Sequence, residues 1–116
     1  MPETDTHLEV RRVDGAHAVI AVRGELTGAT ETALMDAYGR ASDPSTRVVV
    51  LDFTELDYMN STGIGLLVTM LVRAQRQRQR LMAFGLSEHY REILSLTRLD
   101  EAIGVVGSEA EALAAV

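Results

Sequence analysis

The residues Val48-Val49-Val50-Leu51 constrain this chain more than any others. Consecutive β-favouring apolar residues, entered at Arg47 and stopped by Asp52, offer no polar face to water, so the strand they predict is buried on both sides, as inside a parallel sheet. The chain then turns through Phe53 to Met59. Asn60-Ser61-Thr62 is a cluster of helix-capping side chains, and from Ile64 apolar residues recur at helical spacing. Ile64, Leu67, Val68, Leu71 and Val72 are the expected inner face of that helix. A hydroxyl therefore stands where a helix begins, at the end of a loop leaving a central strand.

That location has a chemical meaning. The first backbone N–H groups of a helix are unpaired and the aligned peptide dipoles place partial positive charge there, so anions are welcome. A phosphoryl group on Ser61 is compatible with its own helix while adding roughly −1.5 to −2 charges and new acceptor oxygens to the surrounding surface. Thr62 is a competing acceptor. The plainer reading is that Ser61 is only a cap.

Further along the chain, residues 1–6 read as a short frayed terminus. Leu8 to Val13 and Ala16 to Arg23 predict two strands joined by the hairpin signal Asp14-Gly15, with Gly24 ending the second. Thr27 or Thr30 can cap a helix whose inner face carries Leu34, Ala37, Tyr38 and Ala41. Ser42-Asp43-Pro44-Ser45 is a loop. Leu81 to Phe84 is another strand, Ser87 caps a third helix with Tyr90, Ile93, Leu94 and Thr97 on one face, and Ile103 to Val106 is the last strand. Ser108 with Glu111 opens a C-terminal helix. Strand and helix alternate after the first hairpin, which predicts an α/β fold with a mixed, mostly parallel sheet.

Composition narrows the function. With 116 residues and 47% hydrophobic content, the chain is long enough for one core and is read as a single domain over residues 1–116. A net charge of −6 argues against nucleic acid as a partner. Arg73, Arg76, Arg78 and Arg80 form a basic cluster, read as cations at a helix C-terminus with Gln75, Gln77 and Gln79 as solvated surface. All 11 basic residues are arginine, which excludes a P-loop lysine or a Schiff-base lysine. No cysteine is present, and His7, His17 and His89 are scattered, so no metal or other cofactor is expected. Asp52, Glu55 and Asp57 lie close together without a positioned His, Cys or Lys, so no enzyme is expected. The apolar runs fall short of a membrane span and residues 1–6 lack signal-peptide character, which predicts a cytoplasmic protein without membrane insertion.

The stretch from Asp52 to Gly65, Asp-Phe-Thr-Glu-Leu-Asp-Tyr-Met-Asn-Ser-Thr-Gly-Ile-Gly, resembles the signature of the STAS domain, most closely its small bacterial anti-sigma-factor antagonists. Gly24-Glu25-Leu26, Gly85-Leu86-Ser87 and the run from Ser108 to Leu113 extend the resemblance over nearly the whole chain. It implies a sheet of about four or five strands with about four helices packed mainly on one side. It also implies that Ser61 is the residue phosphorylated by a partner kinase. Two positions depart from the family pattern. Asn60 stands where Asp is usual, keeping the capping ability but removing a charge. Thr27 stands where a second acidic group is common.

The resemblance implies partner switching. The unmodified chain, a monomer or weak dimer, binds an anti-sigma serine kinase; phosphorylation of Ser61 releases it; and a phosphoserine phosphatase restores it. The expected contact surface is Glu25, Thr27, Tyr58, Met59, Asn60, Ser61, Thr62, Gly63 and Ile64, at the carboxyl ends of strands where partners of open sheets bind. Met59 and Ile64 are read either as exposed apolar contacts or as core, Tyr58 as a surface-packed ring or a partner anchor, and Glu25 as a contact or a polar strand end. The alternative function is a non-catalytic STAS scaffold, or an accessory subunit of a signalling assembly or a membrane transport system.

Overall fold

The protein is described by a computed structural model over residues 7–115; the expected frayed segment at residues 1–6 lies outside them. A hairpin of β1 (His7–Arg12) and β2 (His17–Leu26) starts the sheet, with Leu8 opposite Val22 and Val10 opposite Ile20. The Asp14 carboxylate shapes its turn by accepting the N–H groups of Ala16 and His17, at 2.8 and 2.9 Å. The same carboxylate takes Nδ1–H of His17 at 2.8 Å, and Nε2 of His17 lies 3.2 Å from the carbonyl oxygen of Ala115. Bonding to Asp14 raises the His17 pKa, and the same bond holds the Asp14 carboxyl below its usual range.

Four further strands follow: β3 (Val48–Asp52), β4 (Leu56–Met59), β5 (Arg80–Phe84) and β6 (Gly104–Val105). The path runs β1-β2-β3-β5-β6, antiparallel only at its first step. β4 is an addition to the expected strands. It pairs with the end of β2 beyond the stretch that pairs with β3. Gly24 does not end β2. At φ +84° it accommodates a register shift, and its N–H donates to the Glu55 carbonyl oxygen at 3.0 Å, so β2 continues through Glu25 and Leu26 alongside β4.

Alternation along the strands sends two sets of side chains to opposite faces. Ala18, Ile20, Val22, Val49, Leu51, Leu81 and Ala83 join the larger core with α1 (Glu31–Ala41), α2 (Ser61–Arg76) and α3 (Glu88–Leu96). On the other face Val19, Val48, Val50, Met82 and Phe84 form a smaller cluster with Ala112 of the short α4 (Glu109–Leu113), against which Val106, Leu113 and Ala115 pack. β3 is thus buried on both sides, as its unbroken apolar run requires.

The inner face of α1 is as expected, with Leu34, Ala37, Tyr38 and Ala41 buried. That of α2 is rotated: Gly63, Leu66, Leu67, Met70, Leu71 and Ala74 are buried, while Val68 and Val72 are each 40% exposed and Ile64 is half-buried. Thr97 stands exposed at the end of α3 instead of joining Tyr90 and Leu94 in the core. Gln79, expected at the surface, is buried. It accepts the Tyr38 hydroxyl at 2.6 Å and donates to Ser42 Oγ at 2.6 Å, and the Arg73 guanidinium lies 4.9 Å from the Tyr38 ring centre. Arg73 therefore packs across α1, while Arg78 and Arg80 lie beyond the end of α2. No helix of the described residues is long and apolar enough to cross a membrane.

Candidate functional site

The site forms where the carboxyl end of β2 meets the start of α2. The Asn60 side chain, on extended backbone, accepts the Gly63 N–H at 2.9 Å and is the N-cap of α2. Ser61 is consequently the first helical residue. Its exposed hydroxyl takes no part in the cap, and among the described residues it has no hydrogen-bond partner. The plainer reading of Ser61 as a helix cap is thereby overturned: the amide one position earlier does that job. An Asp at position 60 would accept the same N–H, so the departure from the family pattern leaves the cap intact and removes only a negative charge.

Gly63 fixes how α2 sits. A Cβ on this residue would stand 2.1 Å from the carbonyl oxygen of Leu26, a backbone atom with no room to yield. The helix therefore approaches β2 through a bare Cα, and this contact sets its rotation about its own axis. With position 63 turned inward, positions 66, 67, 70, 71 and 74 follow at helical spacing and 68 and 72 turn outward. The Leu26 carbonyl oxygen also accepts the Asn60 N–H at 3.3 Å.

The remaining expected contact residues gather around this point. Leu26 pairs with Met59 and Glu25 with Tyr58 in the ladder between β2 and β4. Glu25 is half-buried and Tyr58 is 48% exposed, so both present polar or aromatic groups at the surface. Thr27 caps the 3-10 turn Gly28–Thr30 that leads into α1, accepting the Ala29 N–H, while Thr30 Oγ1 accepts the Thr27 N–H. The Thr62 methyl group lies 2.9 Å from where a Cβ on Gly28 would be, which turns Thr62 toward that turn. Met59 takes the core reading that the sequence left open, and Gly63, expected at the surface, is turned inward as well. Met59 is only 4% exposed and Gly63 is buried, because β4 sends Met59 into the larger core and Gly63 is pressed on β2. Neither side offers a partner an apolar contact, and Ile64, half-buried against the core, offers part of one.

The nearby acids have local tasks. Asp52 accepts both the N–H and the hydroxyl of Thr54, at 3.0 and 2.7 Å, closing the turn after β3. Glu55 lies 3.1 Å from Arg23, which also pairs with Glu9 at 3.1 Å. This arrangement is a turn and an ion-pair ladder rather than a pair of carboxylates converging on one point. The residue that sequence reasoning missed at this site is Tyr90. Tyr90 Oη accepts the N–H of Met59 at 2.9 Å across 31 residues of sequence, a contact for which the local pattern holds no signal.

The fold and site together define an α/β domain that presents an unengaged hydroxyl at the start of a helix. A family model described as Mlab, STAS domain matches residues 10–107, and the chain belongs to the STAS domain family. An anti-sigma-B factor antagonist of Listeria monocytogenes is 29% identical over 104 residues, 90% of this chain and 91% of the relative. A crystal structure of an anti-sigma factor antagonist from Mycobacterium paratuberculosis superimposes with a TM-score of 0.79 at 23% identity, covering 93% of this chain and 91% of the other. The Bacillus cell fate determinant SpoIIAA, in its phosphorylated form, superimposes with a TM-score of 0.66 at 19% identity, covering 92% of this chain and 96% of the other.

Proposed function

We propose that this chain is an anti-sigma factor antagonist that works by partner switching, with Ser61 as the switch. In this reading the unmodified chain, a single domain acting in the cytoplasm as a monomer or weak dimer, binds an anti-sigma factor that is itself a serine kinase. The kinase phosphorylates Ser61 and releases the chain, and a phosphatase returns it to the binding state. The single observation that carries the reading is that Asn60, not Ser61, caps α2, so the Ser61 hydroxyl is exposed and unengaged. The names of its relatives support the same role.

The physics gives the direction. A phosphoryl group on the first residue of α2 sits at the positive end of the helix dipole and requires no change of fold. A partner surface fitted to a neutral hydroxyl would instead bury a doubly charged group, at a cost on the order of several kcal/mol unless that group is paired. Ser61 is favoured over Thr62, whose methyl group faces Gly28. Tyr58, Glu25 and the exposed part of Ile64 supply the surrounding contact.

The test is to isolate the chain from its own cells, measure intact mass and phosphosites, and identify the proteins that accompany it. A phosphoryl group on Ser61 together with an associated serine kinase is the expected result. Ser61→Ala should hold the kinase constitutively and Ser61→Asp should not bind it. Retained binding by Ser61→Asp overturns the mechanism.

A further inference from the structure

We infer that Tyr90 is a positioning residue for the Ser61 loop, holding it against α3 through the backbone of Met59. The geometry stands by itself; its consequence for phosphorylation rests on the reading of Ser61 as the switch.

Among the described residues β4 pairs with β2 alone, so the edge of β4 turned away from β2 meets no described strand that could satisfy it. Met59 ends β4 and is 4% exposed, which places its N–H out of reach of bulk water. A buried backbone donor requires an acceptor. The acceptor here is the phenol oxygen of Tyr90, at 2.9 Å, on a side chain that is itself 8% exposed and packed in the larger core with Leu94. The neighbouring residue is held from the other side, where the Leu26 carbonyl oxygen takes the Asn60 N–H and lies against Gly63. Residues 59–63 are therefore clamped between the end of β2 and α3, with Ser61 at the crest.

The two sides of the clamp are unlike. The β2 side is backbone on backbone and persists through any side-chain change except at Gly63. The α3 side is a single phenol oxygen. Without it the Met59 amide is left buried and unpaired, and the segment's one remedy is to swing Met59 and Asn60 toward water, carrying Ser61 with them. Tyr90 thus sets the direction in which the Ser61 hydroxyl faces a partner, and a displacement of α3 reaches the switch through one hydrogen bond.

The test is Tyr90→Phe in the full chain, which keeps the ring in the core and removes only the acceptor. Hydrogen exchange followed by NMR should show the hydrogen-bonded amides of this segment, those of Met59, Asn60 and Gly63, exchanging at least about tenfold faster, with the amides of β3 and α1 unchanged. Val50→Ala is the control: it removes packing on the other face of β3, away from α3 and the Met59 N–H, and should not single out Met59, Asn60 and Gly63. Unchanged exchange at Met59, Asn60 and Gly63 in Tyr90→Phe, or a rise spread evenly over β3 and α1, overturns the inference. The second arm is ATP-dependent phosphorylation by the kinase fraction that accompanies the native chain, where Tyr90→Phe should lower kcat/KM at least about fivefold. Equal rates for the two proteins overturn the positioning role. A wild-type chain that this fraction does not phosphorylate overturns the switch reading instead, and the exchange result still decides whether Tyr90 holds the loop.

Discussion

The serines at the starts of α2 and α3 each follow a parallel strand, yet they have different work. At the start of α3, Ser87 stands outside the helix and its hydroxyl accepts the Tyr90 N–H at 3.4 Å. At the start of α2 the capping position belongs to Asn60, and Ser61 falls one residue inside. A one-residue difference in where the helix begins decides whether a hydroxyl is structural or spare. In α2 the boundary is marked by the Asn60 side chain accepting the Gly63 N–H, and the bare Cα of Gly63 lets that first turn rest on the Leu26 carbonyl oxygen. In α3 the serine itself holds the capping position.

The sharpest way to break the contrast is Gly63→Ala. A methyl group 2.1 Å from a backbone oxygen must push α2 off β2, and the expected loss is about 3 kcal/mol in urea denaturation, with the amide signals of residues 59–63 displaced. Next come the caps. Asn60→Ala and Ser87→Ala should each cost about 1 kcal/mol, whereas Ser61→Ala should change stability by less than about 0.5 kcal/mol. A loss at Ser61 equal to that at Ser87 would return Ser61 to the role of a cap. Gly65→Ala sharpens the comparison within a single turn. Nothing lies within 4 Å of the added methyl group, so this second glycine of α2 should yield a gain of about 0.5–1 kcal/mol, seen as a higher urea midpoint.

The smallest effect concerns the other face of the sheet, which α4 helps to cover. Both ring nitrogens of His17 face acceptor oxygens, those of Asp14 and Ala115, and only the imidazolium can donate to both. Its folded pKa is raised above the unfolded value, so the contribution is fully present below the unfolded pKa and is lost as pH rises through the folded one. Asp14, held below the usual carboxylate range, stays ionised throughout that window. Urea midpoints should therefore fall as pH rises through neutrality, and His17→Gln should flatten that dependence; an equal slope in the variant would show that the pair contributes nothing.

Much of the fold was legible because it rests on short-range chemistry. The unbroken apolar run of β3, the four-residue spacing in α1, the glycine and serine punctuation before α3 and α4, and the capping cluster at residues 60–62 all report interactions within a few positions of one another. β4 was missed because it is short and its pairing depends on β2 running past Gly24, where the residue type signals a stop. The site was legible as a location but not as a set of side chains. Glu25, Thr27, Tyr58 and residues 60–62 do gather at one strand end, yet Met59 and Gly63 face inward, and Tyr90 enters from an element 31 residues away.

The sequence by itself determined that a hydroxyl would stand at the start of a helix leaving a buried parallel strand, because strand burial, chain turning and capping are properties of neighbouring residues. Only the tertiary structure decided that α2 would rotate Val68 and Val72 outward and that Met59 would hang from Tyr90. Each of those depends on one backbone atom meeting another group at close range: the Leu26 carbonyl oxygen against Gly63, and the Met59 N–H against a phenol. Periodicity records which residues are apolar, but the rotation of a helix by one position is set by where a carbonyl oxygen and a bare Cα come into contact.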